Sequence, residues 1–354
     1  MAAAGQTPIR VLVIDDSAVA RRSVSKVLEG HRDLVLAGLA ENGKVGLERI
    51  AELQPDVVVL DLEMLVMGGL EMLTEMRAMR SDIPVIVFSA AGDRQAAAAI
   101  DALALGASAF VTKPTSSSPN TLQDELVPLL RAVGTRGPAR TGSGSATQRA
   151  PVLLRPSTTP VSAIVIGCST GGPAALASLL TALPGSLSVP ILVVQHMPKP
   201  FTGLLAERLD RSCALTVTEG SNGDPVEAGR VYIAPGGQHM SVGQTASGAV
   251  LALDDGPLVN SCRPAADVLF ASAARVYGGG VLAVVLTGMG HDGLDGTREI
   301  IAAGGSAIVQ DRMSCVVGSM PGSVADAGLA SAIGTVEYLA SVLEDRVRRS
   351  RGGS

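Results

Sequence analysis

Three polar residues with the chemistry of a serine hydrolase lie far apart in the second half of the sequence, each just after a short apolar run. They are Ser169 after residues 161–166, His196 after residues 191–194, and Asp292 after residues 281–286. Such runs predict buried strands, and the carboxyl ends of parallel strands meet at one edge of a sheet, where ligands bind. A hydroxyl, an imidazole and a carboxylate gathered there could act as nucleophile, base and orienting group.

The residues around Ser169 have the spacing of a nucleophile elbow. Gly167, Ser169 and Gly171 match G-x-S-x-G, a sharp turn between a strand and a helix that exposes the serine hydroxyl. The backbone N–H of Thr170 would then point toward a developing oxyanion, helped by the helix N-terminus. A phosphate-binding glycine loop uses the same arrangement. The motif alone leaves both interpretations open, although the lysine of a Walker A motif is missing.

Other residues compete for the roles of base and carboxylate. His239 also follows a predicted strand and is the rival base, and His291 lies beside Asp292 in sequence. Asp295 and Asp267 are possible substitutes for Asp292, although Asp267 is more consistent with a helix cap. The chain order Ser, His, Asp differs from the order Ser, Asp, His of α/β-hydrolases, so the elbow is no evidence for that fold.

A second group of polar residues follows predicted strands in the first half of the chain. Asp15, Asp16 and Asp61 would place three carboxylates at one sheet edge, where they repel one another unless a hard cation such as Mg²⁺ lies among them. A phosphoryl group on Asp61 would meet this metal, the Lys113 ammonium and the Ser89 hydroxyl. Each aspartate alone would be interpreted as a helix N-cap. Five such residues in order across the sheet favour a site.

The pattern of elements divides the 354 residues into two α/β domains, as the length suggests. Over residues 8–133, five apolar runs alternate with helical patterns, which predicts a doubly wound parallel sheet. Residues 134–160 are dominated by Gly, Ser, Thr, Pro and Arg and predict a flexible linker. Residues 161–345 are predicted to form a second doubly wound parallel-sheet domain.

The composition argues against several classes of protein. A net charge of −5 and an aromatic content of 2% argue against nucleic-acid binding, which needs basic patches or stacking rings. The longest apolar runs are of strand length, so we expect no membrane insertion. The first residues lack the pattern of a signal peptide, and the four cysteines lack the spacing of metal or redox motifs. We therefore expect a cytoplasmic location with reduced thiols.

Residues 8–133 resemble the receiver domain of two-component response regulators. The resemblance is carried by four segments: Val13-Ile14-Asp15-Asp16-Ser17, Asp61-Leu62-Glu63-Met64, Ser89-Ala90 and Lys113-Pro114. Two departures lie in the loop beside Asp61: Leu65 stands where the family often has Pro, and Gly68 stands where it has Asp or Asn.

The receiver resemblance implies a flavodoxin-like fold in which Asp61 is phosphorylated by a histidine kinase. It further implies that Mg²⁺ binds at Asp15, Asp16 and Asp61. The implied switch residues are Ser89, Phe110 and Lys113, of which the first two reorient on phosphorylation.

Residues 161–340 resemble the catalytic domain of the chemotaxis protein-glutamate methylesterase/protein-glutamine glutaminase family, the CheB family. The resemblance is carried by Gly167–Pro173, by Gln195-His196-Met197-Pro198 with Phe201-Thr202, by Ile233–Met240, by Arg263–Phe270, by Thr287–Gly293, and by segments from Gln310 to Pro321. A receiver followed by this domain is the family's own arrangement. Two departures are Ala265-Ala266, where the family has Ser-Val, and Cys262, where His is common.

This second resemblance implies a Rossmann-like methylesterase domain with a catalytic triad of Ser169, His196 and Asp292. Thr170 and Met289 would form the oxyanion and substrate pocket, and the hydrolase site would need no cofactor. The implied activity is phosphorylation-activated hydrolysis of glutamate methyl esters and deamidation of glutamines. The implied partners are the cytoplasmic helices of methyl-accepting chemotaxis receptors and a chemotaxis histidine kinase. The alternative is a phospho-regulated binding module with an inactive hydrolase-like domain.

Overall fold

The computed structural model describes residues 7–90, 92–113, 121–134 and 153–351. The chain divides into two compact units, Met1–Ala146 and Thr147–Ser354. Most of the predicted linker 134–160 lies outside the described residues, so its flexibility stays a prediction. Residues 153–160, its described C-terminal part, contact the second unit: Leu154 donates its N–H to the carbonyl oxygen of Ala330 at 2.8 Å.

The first unit is an α/β structure. Its described elements, in chain order, are β1 (Ile9–Ile14), α1 (Ala18–Glu29), β2 (Leu34–Ala40), α2 (Gly43–Leu53), β3 (Val57–Leu60), α3 (Gly69–Ala78), β4 (Val85–Ser89), α4 (Asp93–Ala104), β5 (Ala109–Thr112) and α5 (Thr121–Gly134). The strands form one sheet in the order β2-β1-β3-β4-β5, and all of these pairings are parallel. This is the flavodoxin-like order, and the predicted fold is confirmed.

Asp15, Asp16 and Asp61 are not the N-cap residues of the helices that follow them. α1 is capped by Ser17, whose hydroxyl accepts a hydrogen bond from the N–H of Ala20 at 3.3 Å. α3 has Gly68 at its N-cap position, without a side-chain cap. The alternative interpretation of Asp15, Asp16 and Asp61 as N-caps is therefore wrong, and their carboxylates are left at the sheet edge.

The second unit has a larger sheet and a separate hairpin. Its described elements, in chain order, are β6 (Ala163–Cys168), α6 (Gly172–Thr181), β7 (Ile191–Gln195), α7 (Phe201–Ser212), β8 (Thr216–Glu219), β9 (Arg230–Ile233), β10 (His239–Thr245), β11 (Gly248–Asp254), α8 (Ala266–Tyr277), β12 (Val281–Val285), α9 (Leu294–Ala302), β13 (Ser306–Gln310), α10 (Ser319–Asp326), β14 (Ala332–Gly334) and α11 (Val336–Arg351). Seven strands form a parallel sheet in the order β14-β13-β12-β6-β7-β9-β8, which confirms the predicted α/β class.

One element of the second unit was not predicted. β10 and β11 pair in antiparallel fashion from His239↔Asp254 to Thr245↔Gly248, with two residues between the strands. Two-residue connections are the commonest in hairpins. The hairpin packs one face against α8. Val242 of β10 donates its N–H to the hydroxyl oxygen of Ser272 in this helix at 3.0 Å.

The core of the second unit lies around its central strands. β6, β7 and β12 are buried along their whole length, as expected for parallel strands covered by helices on both faces. α8 packs close to β6 because Gly167 has no side chain: a Cβ there would lie 2.9 Å from the Cβ of Ala266. Among the described residues, no helix has both the length and the apolar character that a membrane crossing requires.

The buried position of Leu192 predicts a large loss of stability on truncation. Leu192 lies in β7 between Val165 and Tyr232 and is fully buried, so we expect Leu192→Ala to lower the free energy of unfolding by about 2–5 kcal/mol. Leu258 is 60% exposed, and Leu258→Ala should cost about 0.5 kcal/mol or less.

Tyrosine emission during denaturant titration would measure both variants in the full-length chain. The chain has no Trp, and its three tyrosines all lie in the second unit: Tyr232, Tyr277 and Tyr338. Equal losses of stability in the two leucine variants would contradict this account of the core.

Candidate active site and acidic cluster

The register of the central sheet brings the loops that follow β6, β7 and β12 together. Cys168 pairs with Gln195 at the ends of β6 and β7, so Ser169 and His196 begin neighbouring loops. The ladder continues beyond the strands: His196 donates its N–H to the carbonyl of Cys168 at 3.0 Å, and Ser169 donates its N–H to the carbonyl of Thr287 at 3.0 Å. The loop that carries Asp292 therefore starts beside the serine.

His196 and Asp292 form a hydrogen-bonded pair. The distance from His196 Nε2 to Asp292 Oδ2 is 2.7 Å. Asp292 is only 2% exposed, and it also accepts the N–H groups of Ala266 at 2.6 Å and Asp267 at 3.1 Å. Both amides belong to the first turn of α8, where a helix favours negative charge.

These partners keep Asp292 ionised. Burial would raise the pKa of Asp292, but the hydrogen bond and positive charge of His196, together with the backbone N–H of Ala266, lower it to about 2. In the same way, burial would lower the pKa of His196, but the hydrogen bonds with Asp292 and Cys262 together outweigh burial, and the pKa rises to about 9.

The carboxylate also determines which nitrogen of His196 can act as a base. When the ring has lost its second proton, the remaining proton lies on Nε2, directed to Asp292, and Nδ1 is left as the acceptor. The Sγ atom of Cys262 lies 3.5 Å from this Nδ1, and a thiol is a weak hydrogen-bonding partner. Within the described residues, the Ser169 hydroxyl makes no hydrogen bond, so the structure aligns the imidazole with the carboxylate but not yet with the serine.

The turn that carries Ser169 requires glycine at two places. Gly171 precedes α6 with a φ of 78°, in the left-handed region that favours glycine. Gly288 passes close to the serine, because a Cβ there would lie 2.9 Å from the Cβ of Ser169. Pro173 lies in the first turn of α6, where its missing N–H costs nothing. The strand–turn–helix geometry expected for an elbow is therefore present at Ser169.

Near Ser169, the backbone N–H groups of Thr170 and Met289 have no acceptor among the described residues. In the loop after β12, the N–H groups on either side of Met289 already have acceptors. Gly288 donates to the carbonyl of residue 317 at 2.9 Å, and Gly290 donates to the hydroxyl of residue 319 at 3.1 Å. Of the backbone N–H groups in the 288–290 loop, only that of Met289 therefore remains a candidate donor to an oxyanion. The Met289 side chain is partly exposed.

The rival base is engaged in structural hydrogen bonds. His239 is buried, its Nδ1 accepts the N–H of Ala265 at 3.2 Å, and its Nε2 lies 2.9 Å from the carbonyl oxygen of Pro257. Neither nitrogen is left to accept a proton from a substrate or a serine. His291 is exposed, and its neighbour Asp292 takes the place beside His196.

The competing carboxylates have other partners. Asp295 is exposed and pairs with Arg298 at 3.1 Å. The interpretation of Asp267 as a helix cap is wrong: Ala265 is the N-cap residue of α8 and makes no side-chain cap. Asp267 lies inside the first turn, and its carboxylate instead accepts the N–H of Gly296 at 2.7 Å, because α9 packs directly against α8.

Sequence reasoning missed Gln195 as a residue that holds the two loops together. Its side-chain Nε2 donates to the carbonyl oxygens of Ser169 at 3.0 Å and His196 at 3.1 Å. Its Oε1 lies 3.1 Å from the thiol of Cys168. A polar residue at the end of an otherwise apolar strand was the available signal.

The acidic residues of the first unit form one cluster. Oxygen atoms of Asp15, Asp16 and Asp61 all lie within 4.8 Å of one another. Lys113 Nζ lies 2.8 Å from Asp15 Oδ2 and 2.7 Å from Asp61 Oδ2. An all-oxygen, anionic donor set fits a hard divalent cation such as Mg²⁺.

The partners in the cluster perturb each other's protonation. Burial raises the pKa of Asp61, and the hydrogen bond from Lys113 offsets only part of this effect. For Lys113, burial would lower the pKa, but the two aspartates outweigh it and the pKa is raised. Ser89 is buried at the end of β4 and accepts the backbone N–H of Lys113 at 2.7 Å. Phe110 lies on β5, paired with Val87.

Comparison with known proteins relates both units to one family. The model of the CheB methylesterase matches residues 164–343, and the model of the response regulator receiver domain matches residues 11–126. A protein-glutamate methylesterase/protein-glutamine glutaminase from a Nocardioides species is 43% identical, over 97% of this chain and 96% of its own length. One from Caulobacter vibrioides is 41% identical, over 96% of this chain and 99% of its own length.

A solved structure agrees with this relationship. The catalytic domain of the Thermotoga maritima CheB methylesterase is 40% identical and has a TM-score of 0.52, covering 53% of this chain and 99% of its own. The fold defines an α/β protein with a receiver unit and a hydrolase-like unit. The chain belongs to the CheB methylesterase family.

The contact with Asp292 predicts an elevated pKa for the ring of His196. We expect the pKa of the His196 imidazole to lie above its ordinary value of 6.5, because the carboxylate of Asp292 stabilises the protonated ring. In Asp292→Asn, burial acts without this charge, and the pKa should fall below the ordinary value.

Histidine side-chain NMR over a pH series measures the pKa of His196 in both proteins. A wild-type pKa at or below 6.5 for His196 would contradict this account of the pair.

Proposed function

We propose that this chain is a phosphorylation-activated serine hydrolase. It demethylates glutamate methyl esters on methyl-accepting chemotaxis receptors and deamidates receptor glutamines to glutamate. The observation that carries this proposal is the 2.7 Å hydrogen bond between His196 Nε2 and Asp292 Oδ2, at the same sheet edge as the Ser169 elbow. The names and full-length similarity of the relatives support the choice of substrate.

The proposed reaction is acyl transfer to water. The Oγ atom of Ser169 attacks the carbonyl carbon of the ester while His196 Nδ1 takes the hydroxyl proton. Asp292 stabilises the imidazolium that forms, and the free amides of Thr170 and Met289 donate to the oxyanion. His196 then protonates the departing methanol, or ammonia when the substrate is glutamine. Water then attacks the acyl carbon while His196 Nδ1 takes its proton, and His196 returns that proton to Ser169 Oγ as the bond to the serine breaks and glutamate is released.

The first unit supplies the regulation in this proposal. A chemotaxis histidine kinase phosphorylates Asp61, whose carboxylate lies beside the Lys113 ammonium. Asp15, Asp16 and Asp61 would hold Mg²⁺, which when bound neutralises charge on the phosphoryl group. Lys113 contributes a further positive charge beside Asp61. Ser89, Phe110 and Lys113 report the phosphorylated state to the rest of the unit.

The proposed location is the cytoplasm. All four cysteines are free thiols, as is typical of a reducing compartment. The proposed substrates are the cytoplasmic helices of the receptors, which the enzyme meets there without entering the membrane.

Ser169 should be indispensable for ester hydrolysis. We expect Ser169→Ala to lower the rate of methanol release from methylated receptor by about 10⁴-fold or more, because the nucleophile is lost while the fold is kept. Ser178→Ala is the matched control: Ser178 is an exposed serine of α6, the helix that the elbow begins, and this variant should keep the wild-type rate. Wild-type turnover by Ser169→Ala would favour a different nucleophile, and an inactive wild-type protein would favour a binding module.

Asp61 should be required for activation. With Mg²⁺ and acetyl phosphate, we expect wild-type methanol release to rise and Asp61→Asn to show no increase, because an amide cannot accept the phosphoryl group. Asp82→Asn removes an exposed carboxylate of the same unit and should be stimulated like the wild type. The measurement is the ratio of the rates with and without the phosphodonor. An undiminished ratio in Asp61→Asn would contradict phosphorylation at this residue.

A further inference from the structure

A tight turn over Val259–Cys262 lies against the His196–Asp292 pair. Val259 and Cys262 exchange two backbone hydrogen bonds, of 3.1 and 2.8 Å. The central residues Asn260 and Ser261 have φ values of 51° and 63°. Two successive non-glycine residues in the left-handed region are unfavourable by themselves, although Asn tolerates this region better than most. Such backbone persists where surrounding contacts hold it, often at functional sites.

The side chain of Asn260 bridges two buried carboxylates. Its Nδ2 lies 3.0 Å from Asp292 Oδ1 and 2.7 Å from Asp267 Oδ2. The amide nitrogen carries two hydrogens, so one residue can donate to both acids. Asn260 itself is exposed, whereas Asp292 and Asp267 are 2% and 9% exposed. The turn therefore delivers a donor from the solvent side to two acids beneath it.

The remaining oxygens of both acids are bound elsewhere. Asp292 Oδ2 accepts His196 Nε2 and the N–H of Ala266, and Asp267 Oδ1 accepts the N–H of Gly296. The Asn260 amide thus completes the set of donors around the pair of acids. It also lies between two groups that repel one another when both are ionised.

The protonation of the two acids agrees with this arrangement. Burial, together with the charge of Asp292, raises the pKa of Asp267 to about 6, although the bond from Asn260 lowers it. Asp292 remains strongly acidic. Without this donor, Asp292 Oδ1 would keep only the N–H of Asp267 as a partner, and the repulsion between the two acids would act on its orientation.

We propose that Asn260 is a positioning residue of the active site, whose amide ties Asp292 to Asp267 so that Asp292 Oδ2 stays aligned with His196 Nε2. Cys262, at the end of the same turn, contacts the opposite ring nitrogen at 3.5 Å. The turn therefore reaches both sides of the imidazole–carboxylate pair. This inference rests on the proposed function, since it assigns Asn260 a part in the same hydrolysis.

Three variants of the full-length protein separate the amide from the turn. Asn260→Gly removes the amide but accepts the positive φ without strain. Asn260→Asp keeps the shape and tolerates the same φ, but it places a third carboxylate against two acids. Ser261→Gly is the matched control, because it alters the neighbouring position of the turn and leaves the amide in place. Since both positions are exposed, none of these changes opens a cavity in the core.

We expect the variants to differ in kcat rather than KM for methanol release. Asn260→Gly should lower kcat by about 10- to 100-fold, which corresponds to loss of a hydrogen bond to a charged group. Asn260→Asp should lower kcat further, and Ser261→Gly should match the wild type. Proton NMR of the His196 ring N–H that is bonded to Asp292 gives a second readout. Its signal should shift or broaden in both Asn260 variants and stay unchanged in Ser261→Gly.

The outcomes distinguish this inference from the proposed function. If Asn260→Gly behaves like Ser261→Gly in both kcat and the NMR signal, Asn260 only forms the turn and the inference is wrong. If the wild type releases no methanol but the ring N–H signal still changes in the Asn260 variants, the proposed function fails and the positioning role stands. If Asn260→Asp does not fold, the comparison of the two glycine variants decides.

Discussion

The buried carboxylate of Asp292 is the constraint on which the geometry of the catalytic unit depends. A buried charge without partners is costly, so the fold must bring donors to it. Those donors come from three separate segments: the loop after β7 supplies His196, the first turn of α8 supplies two backbone N–H groups, and the turn before α8 supplies Asn260. Satisfying one carboxylate therefore fixes the relative positions of the segments that surround the serine.

The core determines whether this convergence can occur. α8 reaches Asp292 only because it packs closely on β6, where Gly167 leaves room for Ala266. Phe270 of the same helix is fully buried beneath the sheet, and Gly296 of α9 fits against it without a side chain. The helix end that binds the carboxylate is thus held by apolar contacts a turn further along. The apolar contacts that pack α8 therefore also position the N–H groups that bind Asp292.

The sequence predicted what local patterns encode and failed where a contact between distant segments decides. Continuous apolar runs identified β6, β7 and β12, and glycine spacing identified the elbow at Ser169. The place of Asp267 at the start of a helix predicts a cap, but the packing of α9 gives its carboxylate a different donor. Asn260 gave no signal at all, since its role arises only when α8 and the loop of Asp292 meet. Chain order alone does not distinguish His196 from His239. In the structure, the His239 ring has partners at both nitrogens, whereas the His196 ring pairs with Asp292.

The two units treat their buried carboxylates in different ways, and the difference suits their proposed roles. In the first unit, Asp61 faces a flexible side chain, Lys113, and burial leaves its pKa raised. A mobile ammonium can follow the charge when a phosphoryl group is added or removed. In the second unit, Asp292 is bound mostly by backbone and amide groups that cannot move independently of the fold. In the proposed hydrolysis, a carboxylate held in this way would keep the imidazole oriented through every step of proton transfer, because its own orientation is set before the substrate binds.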